Sequence, residues 1–269
     1  MLKKLEHILQ NEIDPAFAKR ARFIFKQIEQ GRPKRILDVG CGRGFYLNAL
    51  SLYKFPMEIH GIDINEKYLE KAQKSCIDKR IQIKKANIYN LSYGDCYFDF
   101  VICSELLEHL KDDKRGLKEL DRVLKKNGTI AITVPNYNFP FFWDPFNFML
   151  MRFFKKHINK NIWWLAGIWA GHERLYSVNE IKKLISASNL KVVKLKKVIH
   201  YSIPFSHFLL YGIGKNLVEK LGLEKFDRFN FNNNKNTILP YIFRFPSLKD
   251  KIKDLNKSSV NICLIVNKI

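Results

Sequence analysis

Three stretches of this sequence carry side chains spaced so that they could do chemistry. The first is Arg35-Ile36-Leu37-Asp38-Val39-Gly40-Cys41-Gly42-Arg43-Gly44-Phe45, where a short apolar run holding one acid is followed by glycines at alternate positions. Glycine lets the backbone turn tightly and lets a ligand lie against it. A helix opening at Arg43 would point its free amide groups at that ligand. The second is Asp63, which closes the run Glu58-Ile59-His60-Gly61-Ile62-Asp63. An acid about twenty residues after such a glycine turn is where a ribose diol is gripped in this class of sheet. The third is Cys103-Ser104-Glu105-Leu106-Leu107-Glu108-His109-Leu110, with His172 further on in Ala170-Gly171-His172-Glu173. On a helical turn positions i, i+3 and i+4 share a face, which predicts that Glu105, Glu108 and His109 converge. Histidine titrates near working pH, so His109 and His172 are the candidate bases.

The glycine turn selects its ligand. A dinucleotide fingerprint needs its third glycine where this chain has Phe45. Asp38 would repel a pyrophosphate, whereas a ligand with an ammonium group would tolerate or want that carboxylate. Here the sequence resembles the class I S-adenosylmethionine-dependent methyltransferases, with Ile36 to Gly44 like their first motif and Gly61-Ile62-Asp63 like their second. The resemblance implies S-adenosylmethionine as cofactor. It implies that Asp38, Gly40, Cys41, Gly42, Gly44, Asp63, Ile64, Asn87, Ile88 and Ser104 line its site. The family usually has an acid where this chain has Asn87, whose side-chain carbonyl can still accept a hydrogen bond.

After the fourth strand, amino-group methyltransferases often carry an Asn/Asp-Pro-Pro-aromatic run, absent here. The Glu-x-x-Glu-His run instead resembles the quinone-biosynthesis O-methyltransferases and the small-RNA 3′-end 2′-O-methyltransferases. That likeness implies a magnesium ion held by Glu105, Glu108 and His109, with His172 as a fourth ligand or a separate base. A bound cation lowers the pKa of a hydroxyl. Two carboxylates suit a hard cation, while an imidazole also admits manganese or zinc. Local hydrogen bonding of Glu108 and His109 is the plainer alternative.

The elements that must position these residues alternate strand and helix from Lys34 onward, the pattern of a parallel sheet covered on both faces. Strands are expected at 36–39, 57–63, 81–86, 98–103, 129–134, 191–198 and 259–266. Helices are expected at 43–53, from Asn65 as N-cap, at 113–125 with Asn127-Gly128 ending it, and after the capping box Ser177-Val178-Asn179-Glu180. The fold class is α/β, a Rossmann-like doubly wound seven-stranded sheet, mostly parallel with an antiparallel last strand, plus helical lid insertions. The expected organisation is a helical flap over 1–33 and a methyltransferase domain over 34–199 and 258–269. An aromatic lid insertion over 136–172 and a second lid over 200–257 complete it.

The chain has 269 residues, 46% hydrophobic and 13% aromatic, ample material for a core. The formal net charge of +21 points to anionic partners, although lysine is abundant throughout. Five scattered cysteines without a Cys-x-x-Cys pair fit a reducing cytoplasm better than a disulfide framework or a zinc site. The amino terminus lacks a signal-peptide core, and no apolar run approaches the roughly 20 residues that cross a bilayer. The expected location is therefore cytoplasmic, with attachment to a membrane surface the alternative.

All four tryptophans (Trp143, Trp163, Trp164, Trp169) fall between Pro135 and His172. Phe139 to Phe154 is dense in phenylalanine and is followed by Lys155-Lys156. This composition suits an interfacial segment, a lid over an apolar substrate, or a cap with a small core of its own. The region 200–257 adds Phe205, Phe208 and Tyr211, then a polar loop from Asn230 to Asn236. The leading reading is O-methylation of an apolar small molecule or a lipid- or quinone-like acceptor, with an anionic membrane as a partner surface. Methylation of an RNA 3′ end or a sugar hydroxyl ranks second, and a non-catalytic cofactor-binding scaffold third.

Overall fold

β1 (Arg35–Val39) stands at the middle of the sheet because its apolar side chains can be covered on both faces. Leu37 and Val39 point to one face and Ile36 to the other, the period-two alternation of a strand. Around it lie β2 (Glu58–Asp63), β3 (Ile81–Lys85), β4 (Phe98–Ser104), β5 (Leu124–Pro135), β6 (Leu190–Val198) and β7 (Asn261–Lys268). The order is β3-β2-β1-β4-β5-β7-β6 in this computed structural model, which describes residues 1–162, 164–210, 239–245 and 258–269. Pairings from β3 through β5 are parallel, and β7 runs antiparallel to both β5 and β6. The strand order reverses between β1 and β4, and in open sheets of this kind ligands bind beyond the carboxyl ends of the strands at such a point.

One face is covered by α1 (Lys3–Gln10), α2 (Pro15–Gly31), α3 (Phe45–Ser51) and α4 (Glu66–Ser75). The other is covered by α5 (Asp113–Val123) and α7 (Val178–Ser186). Leu117 and Leu120 are fully buried there, each worth about 1.5–3 kcal/mol relative to exposure. The expected caps form: Asn65 accepts from the Tyr68 N–H at 3.3 Å, and Ser177 and Glu180 exchange the two bonds of a capping box. α6 (Pro145–Phe154) belongs to a cap with a small core of Phe139, Trp143 and Ile168. α8 (Leu239–Arg244) is the only helix described within 211–257.

One expectation fails at the end of α5. Asn127-Gly128 does not stop this helix, which ends at Val123, and both residues lie inside β5. Leu124 is buried opposite Phe98, so the chain enters the sheet there, and the register then jumps to Phe100 opposite Thr129. The residues between bulge outward with Asn127 at φ 62°. Trp163, Tyr211 and the loop from Asn230 to Asn236 lie outside the described residues.

Candidate active site

Gly40, Gly42 and Gly44 have φ of 72°, 52° and 82°, a conformation that costs glycine little. The Gly40 and Cys41 amides donate to the Ile62 carbonyl at 2.8 and 2.9 Å, tying the turn to the end of β2. A Cβ on Gly44 would lie 2.7 Å from Cys76 Sγ, so the missing side chain lets α3 start against α4. Nothing stands within 4 Å of where a Cβ on Gly42 would be, leaving room for a ligand against the backbone.

Asp63 braces this turn. Its Oδ2 accepts from the Gly42 N–H and its Oδ1 from the Asn65 N–H, both at 2.8 Å. Carboxylate oxygens each accept more than one bond, so capacity remains for a diol. Ile64 beside it is exposed, while Cys41 is buried. Asp38 is buried, and its Oδ2 has no hydrogen-bond partner. Burial first, and the Asp63 charge second, push its pKa well above the usual carboxylate range. A buried acid beside a second acid, with an oxygen unused, fits an incoming ammonium group.

The raised pKa fixes a sign. The unfolded chain loses this proton above about pH 4 while the folded protein keeps it, so stability from Asp38 is present below that pH and lost as pH rises. The stability gap between the cofactor-free Asp38→Asn variant and wild type should therefore move in the variant's favour from acid to alkaline pH. Urea midpoints across that range measure it, and a pH-independent gap would refute it.

The remaining expected cofactor residues divide. Asn87 is exposed, and its Oδ1 accepts from the Tyr89 N–H at 3.0 Å, leaving one lone pair and the amide NH₂. Ile88 is buried in the core beside Leu110 and Leu117, so its side chain is committed to packing. Ser104 ends β4 and lies 3.1 Å from the Tyr46 hydroxyl and 2.9 Å from Thr133 Oγ1.

From Ser104 a polar chain continues inward. Thr133 Oγ1 donates to Glu105 Oε1 and Asn261 Nδ2 donates to Glu105 Oε2, both at 2.9 Å. Arg20 on α2 donates to Asn261 Oδ1 at 2.8 Å and lies 3.7 Å from Glu105 Oε2. The expected convergence of Glu105 with Glu108 and His109 on a helical turn is corrected here. Glu105 has φ 53°, and the 3-10 turn begins only at Leu107. Its carboxylate serves Thr133, Asn261 and Arg20 instead. Sequence reasoning missed Tyr46, Thr133, Asn261 and Arg20. The available signal was Arg20, a charged residue on the otherwise apolar buried stripe of Phe17, Ala21, Ile24 and Ile28.

Glu108, His109 and His172 do come together, each offering one donor atom within 4.8 Å of the others. Glu108 is completely buried, and neither carboxylate oxygen has a partner. Burial, then the nearby Glu105, raise its pKa well above the usual range. The His109 ring sits 4.7 Å from the His172 ring and its Nδ1 lies 2.9 Å from the Gly171 carbonyl. With Nδ1–H donating there, Nε2 is the free acceptor. His172 Nδ1 is buried without a partner, and burial followed by the neighbouring His109 push its pKa down to about 3. It is a neutral imidazole throughout the working range, too weak a base to share that role with His109. Leu106 packs over Gly40, 3.0 Å from a Cβ position there, which joins this loop to the glycine turn.

Comparison with known proteins agrees with this geometry. A family described as "Methyltransferase domain" matches residues 37–132, from β1 through most of β5. A ubiquinone biosynthesis O-methyltransferase from Coxiella burnetii is 31% identical over 122 residues, 45% of this chain and 51% of that protein. The chain thus spans about half the length of that curated relative. A solved S-adenosylmethionine-dependent methyltransferase from Mesorhizobium loti superposes with TM-score 0.50 at 15% identity, over 87% of this chain and 90% of that one. The [4+2]-cyclase SpnF superposes with TM-score 0.54 at 16% identity, over 87% and 75% of the two chains. Likeness at that identity establishes the fold and leaves the reaction to the site. Residues 37–132, which carry the glycine turn and the first five strands, are thus similar to a methyltransferase domain, and the fold of the described residues is that of the solved S-adenosylmethionine-dependent methyltransferases.

Proposed function

We propose that the protein methylates a hydroxyl of an apolar, lipid- or quinone-like acceptor, with His109 as the proton acceptor. The observation that carries this reading is the orientation of His109, whose Nδ1 is anchored on Gly171 while Nε2 is left as a base. S-adenosylmethionine, when bound, supplies an electrophilic methyl group on sulfur. Asp38 would hold the ammonium end, Asp63 the ribose, and the backbone of Gly40 to Gly44 would cradle the rest. His109 Nε2 would take the proton of an acceptor hydroxyl brought up to that methyl group. The turn and Ser104 would hold the partners in line.

The buried orphan atoms of Glu108 and His172 favour a second reading of the same cluster, as a metal site. One carboxylate with two imidazoles is a donor set for manganese, iron or zinc more than for magnesium. Such an ion would supply Lewis acidity toward the acceptor hydroxyl.

The test is incubation with methyl-labelled cofactor and separated quinol, lipid and RNA pools. Label is expected in the quinol or lipid fraction; label confined to RNA, or to none, overturns the proposal. His109→Ala should lower turnover about 10²-fold with cofactor affinity unchanged. Unaltered turnover in that variant would remove the base. Loss of turnover in chelator, restored by a divalent ion, would replace the first reading of the cluster with the second.

A further inference from the structure

The helix α6 buries its one uncharged polar side chain, Asn147, beside Phe148 and Met151, which pack on the core of the cap. Asp144 is fully buried and accepts from the Asn147 N–H at 3.1 Å. Asn147 is also fully buried, and its Nδ2 donates to Asp144 Oδ2 at 2.7 Å and to the Ala166 carbonyl at 2.9 Å. Its Oδ1 accepts from the Ile158 N–H at 2.9 Å, so the side chain is occupied in holding the helix to the cap. The outward face carries Phe146, Met149 and Phe153 at positions i, i+3 and i+7, exposed by 50%, 46% and 67%. Phe154 continues this face at 67%, and Phe205, 5.6 Å from Phe146 and bonded to the Phe142 carbonyl, extends it. With Phe148 and Met151 packed inward, the helix is apolar on two sides, and a helix surrounded by apolar side chains is normally covered on both. A contiguous exposed apolar patch of this kind marks a surface that meets something.

Charge says what it meets. Residues 136–172 contain Arg152, Lys155, Lys156 and Lys160 and a single acid, Asp144, which is buried. Arg152, Lys155 and Lys156 are exposed and stand together at the end of α6, beside Phe153 and Phe154. A second copy of the chain would bring the same basic end and the same +21 charge against it. Single-stranded nucleic acid is gripped by rings interleaved with cations along a groove, whereas here the cations lie at one end of an apolar face. Apolar side chains flanked by basic ones suit the headgroup layer of an anionic bilayer. No helix among the described residues is long and apolar enough to cross a membrane, so the contact is interfacial.

The cap that carries the patch also borders the site. A cleft of about 450 Å³ is lined by His157, Asn159, Lys160, Trp169, His172 and Glu173. Trp169 stacks on His157 at 3.9 Å, and its Nε1 donates to Met151 Sδ on α6 at 3.3 Å. We infer that the outward face of α6 seats the protein on an anionic lipid surface, and that an acceptor drawn from that surface reaches His172 and His109 along this cleft. The docking stands on α6 alone; the delivery of an acceptor rests on the function proposed above.

Co-sedimentation with phosphatidylcholine vesicles, with and without phosphatidylglycerol, tests the docking. The protein should pellet with the anionic vesicles and be released by salt. The paired variants Phe153→Ser with Phe154→Ser, and Lys155→Glu with Lys156→Glu, should each weaken binding by about tenfold or more. These side chains are exposed, and unchanged thermal melting confirms that each variant is folded. No binding to anionic vesicles, or variants that bind like wild type, overturns the inference. So does a dimer in solution, or binding to short RNA, that the Phe153/Phe154 pair abolishes. Calorimetry with S-adenosylmethionine separates the two claims: intact cofactor uptake without vesicle binding sinks only the docking, and the reverse sinks only the methyltransferase reading.

Discussion

Asp63→Ala should abolish measurable uptake of S-adenosylmethionine while leaving the sheet assembled. The side chain accepts from the Gly42 and Asn65 amides, so its removal leaves two donors without partners and frees the turn that the ligand must lie against. It would also remove the acceptor proposed for the ribose diol. A hydrogen bond to a charged group contributes about 1.5–3 kcal/mol, so losing two at the ligand gives roughly 10²- to 10⁴-fold weaker binding. Titration calorimetry measures this. Asp63→Asn is the informative companion, because it keeps the shape and one acceptor oxygen and should lose less. An alanine variant that binds within about threefold of wild type would remove Asp63 from the cofactor site.

Arg20→Ala should be the most destabilising single change in the polar chain, at about 3–5 kcal/mol. Arg20 is buried, binds Asn261 and lies beside Glu105, whose own neighbour Glu108 is buried with no partner. Removing the cation leaves the partly buried Glu105, the buried Glu108 and the Asn261 amide without it. Deleting one member of a buried pair exposes the full desolvation cost of the other. The double variant Arg20→Met with Glu105→Gln should recover much of the loss, because neither charge is then stranded. Chemical denaturation of all three proteins measures the effect. An Arg20→Ala cost under about 1 kcal/mol would mean that the pair is solvated in practice.

Much of the catalytic edge could be read without coordinates because it is built from local rules. The apolar run of β1, the three glycines and the acid closing β2 each depend on residues a few positions apart. Their outcome is therefore the same in any sheet of this order. The Ser177–Glu180 cap formed as read for the same reason. The Glu-x-x-Glu-His run misled because helical spacing predicts convergence only if the backbone is helical. Glu105 instead takes a left-handed conformation at the end of β4, where it meets residues from both ends of the chain.

Reading residues just past parallel strands reaches Ser104 and Glu105 and overlooks Asn261, because antiparallel β7 brings its first residue to that edge. The sequence of α6 likewise showed an aromatic run beside lysines but not its orientation. The buried contacts of Asn147 with Asp144, Ala166 and Ile158 decide that. The amino-acid sequence by itself determined the glycine turn and the alternating sheet, since both follow from backbone freedom and side-chain period. Tertiary structure alone decided which carboxylate joins the histidines and which way the aromatic helix faces. Those outcomes depend on which distant polar groups satisfy each other once water is excluded.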